Sequence, residues 1–191
     1  AVMGLDYVQH VNKWFLGHPD DSPSALQDDL AVIASKIKPY QPPGMDGFRT
    51  DDFGGTIATS TALVVSGSTQ SRTGIIERLT DKDAFSLSST GGTYSISARP
   101  DAPSGVDLKL DVYNSSGVRL AAHDDPSANG QQITMSLGVG TYYAGGASHG
   151  NYGDLGQFVV TVQRSTLPSG WNGKRADGGH PCRLVSFLAA H

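Results

Sequence analysis

The stretch VDLKLDV, residues 106–112, decides the fold class. Val106, Leu108, Leu110 and Val112 alternate with Asp107, Lys109 and Asp111. An extended chain therefore puts every apolar side chain on one face and every charge on the other, whereas a helix would scatter them around its circumference. The same period of two recurs on both sides. TYSISA (93–98) alternates Tyr94, Ile96 and Ala98, and ITMSL (133–137) alternates Ile133, Met135 and Leu137. ALVVSG, GIIER, DAFSLS, GVRLAAH, GTYYAGG and GQFVVTVQ bring the expectation to eight or nine short strands, with YNSSGV and SSTGGTY as hairpin turns.

No segment between residues 56 and 164 reads as a helix, which excludes βαβ order and favours antiparallel pairing. The expected fold is mainly β: an antiparallel β-sandwich of jelly-roll or Greek-key type, preceded by a short helical N-terminal segment. In that segment Ser22 or Ser24 suits an N-cap, Pro23 the first turn, and Asp28 and Asp29 the positive end of the helix dipole. Leu26, Leu30, Ile33 and Ile37 then share one face, and Pro39 ends the helix. That face needs cover, from the β domain or from residues upstream.

Pro39 to Gly55, PYQPPGMDGFRTDDFGG, has no periodicity and reads as a linker. The expected division is 1–40 helical end of an upstream domain, 41–55 linker, 56–164 sandwich, and 165–191 a loosely ordered tail.

A chain of 191 residues, 38% hydrophobic, can bury one main core. Its net charge of -4, with no basic run longer than Lys174-Arg175, argues against nucleic acid as a partner. No apolar run approaches the ~20 residues of a membrane helix, and the first residues lack the basic-then-apolar pattern of an export signal. A single cysteine, Cys182, excludes an intramolecular disulfide and a thiolate metal cluster.

Of the patterns that carry chemistry, GASHG (146–150) fits the G-x-S-x-G nucleophile elbow around Ser148. An elbow needs a helix after the serine, and here NYGDLGQF runs into a strand, so the reading is a β-turn. The six histidines, His10, His18, His123, His149, His180 and His191, form no H-E-x-x-H. The acidic pairs are more telling. Asp51 and Asp52 in the linker together with Asp81 and Asp83 in TDKDAF offer hard oxygen ligands suited to calcium. Asp107 and Asp111 read as the solvent face of their strand, and Asp124-Asp125 as a turn. Tyr142, Tyr143 and Tyr152, with Trp171, are candidates for a sugar- or peptide-stacking surface, although adjacent tyrosines on a strand face opposite ways.

RTGIIERLTDKDAFSLSSTGGTYSISA, followed by VDLKLDVYNSSGVRLAAHDD and LGVGTYYAGGASHGNYGDLGQFVVTV, resembles the bacterial pre-peptidase C-terminal domain, an accessory β-sandwich of secreted peptidases. The resemblance covers about residues 56 to 163 and rests on the Gly-Ile-Ile-Glu strand, Asp81-x-Asp83-x-Phe85, Leu-x-Leu-x-Val-Tyr and Gly-Thr-Tyr-Tyr. It implies an extracellular bacterial protein and, in some members, calcium near the linker entrance, which points again to Asp51, Asp52, Asp81 and Asp83. Residues 1 to 37 are similar to the closing part of a metzincin-type zinc peptidase domain, with Met3 as the turn methionine beneath the metal and the helix near residues 24 to 38 as its last. Tyr7 lies four residues after Met3, not the two seen in relatives with a catalytic-site tyrosine.

Together these readings give the C-terminal part of a secreted zinc metallopeptidase, inactive alone, with zinc held upstream, calcium in the sandwich, an upstream peptidase domain as its partner, and a monomeric state. The alternatives are a non-catalytic extracellular binding module for protein or polysaccharide, and a calcium-stabilised structural domain.

Overall fold

The computed structural model describes residues 16–18, 24, 26–101 and 104–165. Met3, Tyr7, Trp171, Cys182 and the tail expected from 165 onward lie outside them, Ser165 excepted. The chain enters through β1 (Leu16–Gly17), which pairs with β2 (Gln27–Asp28), and continues into α1 (Asp29–Ile37). The helix starts later than its serines suggest, because Asp28 is the cap: its carboxylate accepts from the Ala31 amide at 2.8 Å. Leu26 thus precedes the helix and lies exposed.

Seven strands follow a short 3-10 turn at Ile57–Thr59: β3 (Thr61–Ala62), β4 (Val64–Ser66), β5 (Thr69–Ile76), β6 (Lys82–Pro100), β7 (Leu108–Asn114), β8 (Arg119–His123) and β9 (Gln131–Ser148); β10 (Gly156–Arg164) completes the set. All pair antiparallel except β3, which runs parallel to β6 at Phe85 and Ser86.

β6 and β9 are each long enough to serve two sheets. They pair in one register from Lys82↔Ala147 to Ala98↔Gln131. The first halves of this ladder join β7, β8 and β3, giving one leaf; the other halves join β10, β5 and β4, giving the second. SSTGGTY is therefore no hairpin. Gly91 and Gly92, at φ of 85° and 119°, bend β6 from one leaf into the other without reversing it. YNSSGV is the hairpin expected, closed by the Val118 and Ser116 amides donating to Asn114 Oδ1.

The core lies between the leaves. Val106, Leu108, Leu110 and Val112 are all fully buried, as are Ile96 and Ala98, and Tyr94 nearly so. Phe85 of one leaf meets Phe158 of the other at a centroid distance of 6.3 Å. The close approach depends on Gly146, where a Cβ would stand 2.6 Å from the Phe158 ring. Asp107 corrects its expected place: it precedes β7 and is 5% exposed, whereas Asp111 does face outward.

The segment 41–55 is irregular but docked. Gln41 donates to Phe48 O and accepts from the Gly47 amide, Arg78 lies over the Phe48 ring at 4.7 Å, and Phe53 packs edge-on against Phe85 at 5.2 Å. Phe53 thereby pins the acidic end of the linker to the core.

Candidate metal centre

Three elements bring carboxylates together where the linker meets the sandwich. Asp51 and Asp52 arrive on the linker; Asp51 caps its own turn by accepting from the Phe53 amide at 3.0 Å, and Asp52 accepts from the Ile75 amide at 3.4 Å. Glu77 follows the end of β5. Asp81 closes the turn into β6, accepting from the Glu77 amide at 3.1 Å, and Asp83 is the second residue of β6. One carboxylate oxygen each of Asp51, Asp81 and Asp83 lie within 4.8 Å of one another, and the same holds for Asp51, Asp52 and Glu77.

Sequence reasoning named four of these five and missed Glu77. The signal was present: a glutamate directly after the apolar pair Ile75-Ile76 and four residues before Asp81.

Burial makes the cluster unusual. Glu77 is 6% exposed and Asp83 fully buried, and none of their four carboxylate oxygens has a hydrogen-bond donor. Ionised carboxylates in that state are costly, by several kcal/mol each unless a cation compensates. The nearby arginine does not serve: Arg78 forks onto both oxygens of Asp46 at 2.6 Å. Desolvation, then the Asp81 carboxylate, pushes Glu77 up to about 8, and the same two causes push Asp83 up to about 9. Asp52 is also raised, chiefly by burial. Gly74 makes room, since a Cβ there would stand 2.5 Å from Asp83 Oδ2.

The donor set fits a hard divalent cation. It is all oxygen, arranged as two carboxylate triads that share Asp51, and contains no imidazole or thiolate; calcium takes six to eight oxygen ligands, backbone carbonyls and water completing the shell.

No family model matches this chain, and no curated protein matches it in sequence. Among solved structures it is similar to the pre-peptidase C-terminal domain of a collagenase from Bacillus anthracis, at 14% identity and a TM-score of 0.43, over 55% of this chain and 96% of that one. It is similar too to PliG of Aeromonas hydrophila, a periplasmic inhibitor of g-type lysozyme, at 12% identity and a TM-score of 0.40, over 55% and 95%.

The three tyrosines do not share a surface. Tyr142 packs against the core, Tyr143 opens onto the outer face of the first leaf, and Tyr152 holds the helix. The Tyr152 hydroxyl accepts from the Leu30 amide at 2.8 Å and donates to Asp28 Oδ1 at 2.5 Å. Ser148 is 2% exposed with Oγ accepting from the Gly150 amide, and the next element after it is the strand β10, so the elbow pattern is the β-turn expected. His149 Nδ1 bonds Asp124 at 2.5 Å and His123 Nδ1 bonds Gln131 Oε1 at 2.5 Å; both rings brace loops.

Proposed function

We propose that this chain is a calcium-dependent accessory β-sandwich, the non-catalytic C-terminal part of a secreted bacterial zinc metallopeptidase. The observation that carries the calcium reading is the set of four buried oxygens of Glu77 and Asp83 without donors, facing Asp51, Asp52 and Asp81. A cation would be held by Asp51 with Asp81 and Asp83, or by Asp51 with Asp52 and Glu77, and its charge would offset their repulsion. Because Asp51 and Asp52 belong to the linker and the others to the sandwich, binding fastens the one to the other and fixes how the domain is carried.

The peptidase parent rests on the order of motifs from the Gly-Ile-Ile-Glu strand to Gly-Thr-Tyr-Tyr, and on the helix that precedes the linker. No helix among the described residues is long and apolar enough to cross a membrane. The zinc ligands and general base of such a parent would belong to its upstream domain.

Calcium titration of the purified chain, followed by calorimetry and by thermal unfolding against chelator, tests the site. Native-state binding at 100 times Kd adds about 2.7 kcal/mol, a rise of several degrees in Tm. Absence of binding heat and of any Tm shift at millimolar calcium refutes it.

A further inference from the structure

The outward face of the first leaf carries a groove of about 730 Å³ that borders the candidate metal centre, with Asp83 lining both. Strand register builds it. Ala147 of β9 pairs with Lys82 of β6 on one side and Lys109 of β7 on the other, so two lysines flank an alanine across two strand spacings, about 10 Å. One row along, Ala84 and Gly145 continue a floor without long side chains; a further row along, Tyr143 stands opposite Tyr113. The linker walls the groove at Gly55, where a Cβ would stand 2.5 Å from Lys82 O.

Charge in the groove is unevenly compensated. Asp111 has Arg119 at 3.4 Å and Asp124 has His149 at 2.5 Å. Lys82 and Lys109 have no ion pair among the described residues, although the protein as a whole is acidic. Two uncommitted ammonium groups, a floor of small residues and a pair of tyrosines make a site for an anionic chain of sugar rings. Tyrosine offers an apolar face and a polar tip, which suits a hydroxylated ring.

We propose that this groove binds an acidic polysaccharide, whose anionic groups sit on Lys82 and Lys109 and one of whose sugar rings lies against Tyr143. The inference does not rest on the peptidase parent.

Isothermal titration of the full chain with polygalacturonate, chondroitin sulfate, neutral dextran and polyglutamate tests it, each at low and at physiological salt. The expected result is binding of one or both acidic glycans, weakened by salt, with the tighter of the two identifying carboxylate or sulfate as the anion. Each charge-assisted contact is worth about tenfold, so Lys82→Gln/Lys109→Gln should lower affinity about a hundredfold. Tyr143→Ala should lower it as well while leaving the far-ultraviolet spectrum unchanged. Both lysines are on the surface of the sheet, so a folded double variant is expected, and its spectrum checks this. Failure of the unaltered chain to bind either acidic glycan overturns the proposal. So does undiminished binding by a folded double variant, or equal binding of dextran or polyglutamate.

Discussion

Replacing Asp83 with asparagine should make the calcium-free protein more stable at neutral pH, although it alters a fully buried residue of the core sheet. Asp83 is raised from 3.8 to about 9 by burial and by the carboxylates around it. Folding near pH 7 therefore requires the carboxyl to take up a proton that the unfolded chain does not hold. Each pH unit above the unfolded value costs about 1.4 kcal/mol, so by pH 7 the ceiling is about 4 kcal/mol. Asparagine is nearly isosteric and permanently neutral, and its amide can donate to the neighbouring carboxylates. Since the amide is still a buried polar group, recovery of about 1–2 kcal/mol is the reasonable expectation. Two urea titrations decide it, in chelator at pH 8 and at pH 4. The variant should gain at pH 8 and gain nothing at pH 4, where the native carboxyl is already neutral. In calcium the order reverses, because the variant has lost a ligand and the unaltered protein gains its binding energy. A variant equally destabilised at both pH values, or one that keeps the full calcium-induced Tm rise, refutes the reasoning.

The acid–base counterpart concerns the unaltered chain. Glu77 and Asp83 have folded values above their unfolded ones, so the stability they permit is complete below about pH 4 and declines as pH rises toward 8 and 9; Tm in chelator should fall across that window and calcium should flatten the fall. Calcium must also expel the protons these groups hold, so calorimetry at pH 7 in buffers of different ionisation enthalpy should register about one to two protons released per ion. Gly146→Ala should cost about 1–3 kcal/mol by urea unfolding, since its Cβ would lie 2.6 Å from the Phe158 ring between the leaves; an unchanged midpoint would mean that the ring yields freely. Tyr152→Phe should leave the sandwich intact and speed amide exchange in α1 about fivefold, as loss of about 1 kcal/mol of hydrogen bonding implies; unchanged exchange would show that the helix is held by its apolar contacts alone.

The strands were legible because their alternation is a direct imprint of one-sided burial: Leu108, Leu110 and Val112 point inward as VDLKLDV demands. What the pattern could not convey is continuity. The glycines that elsewhere mark a reversal here mark a bend, and whether Gly91 and Gly92 turn β6 back or carry it across depends on β9, paired from up to 65 residues away. The acidic cluster was readable where its residues are neighbours in sequence, at Asp51-Asp52 and Asp81-x-Asp83. Glu77 escaped because its role comes from the fold: it is an ordinary strand-end glutamate until the linker folds over it and removes its water. The contact of Tyr152 was not legible either: its hydroxyl donates to Asp28, 124 residues back, and ties the start of α1 to the sandwich.

The position of β10 has a consequence for how the protein comes into being. β10 is the final strand among the described residues, yet it lies inside the second leaf, between β5 and β6, and carries Phe158, Val160 and Val162 into the core. Until residues 156–164 leave the ribosome, β5 and β6 have no strand between them and the core has no Phe158. The earlier strands can form hairpins but cannot close, and pairings this distant in sequence close slowly, in milliseconds to seconds. Folding of the sandwich is thus held back until residues 156–164 are available, which delays assembly of the acidic site.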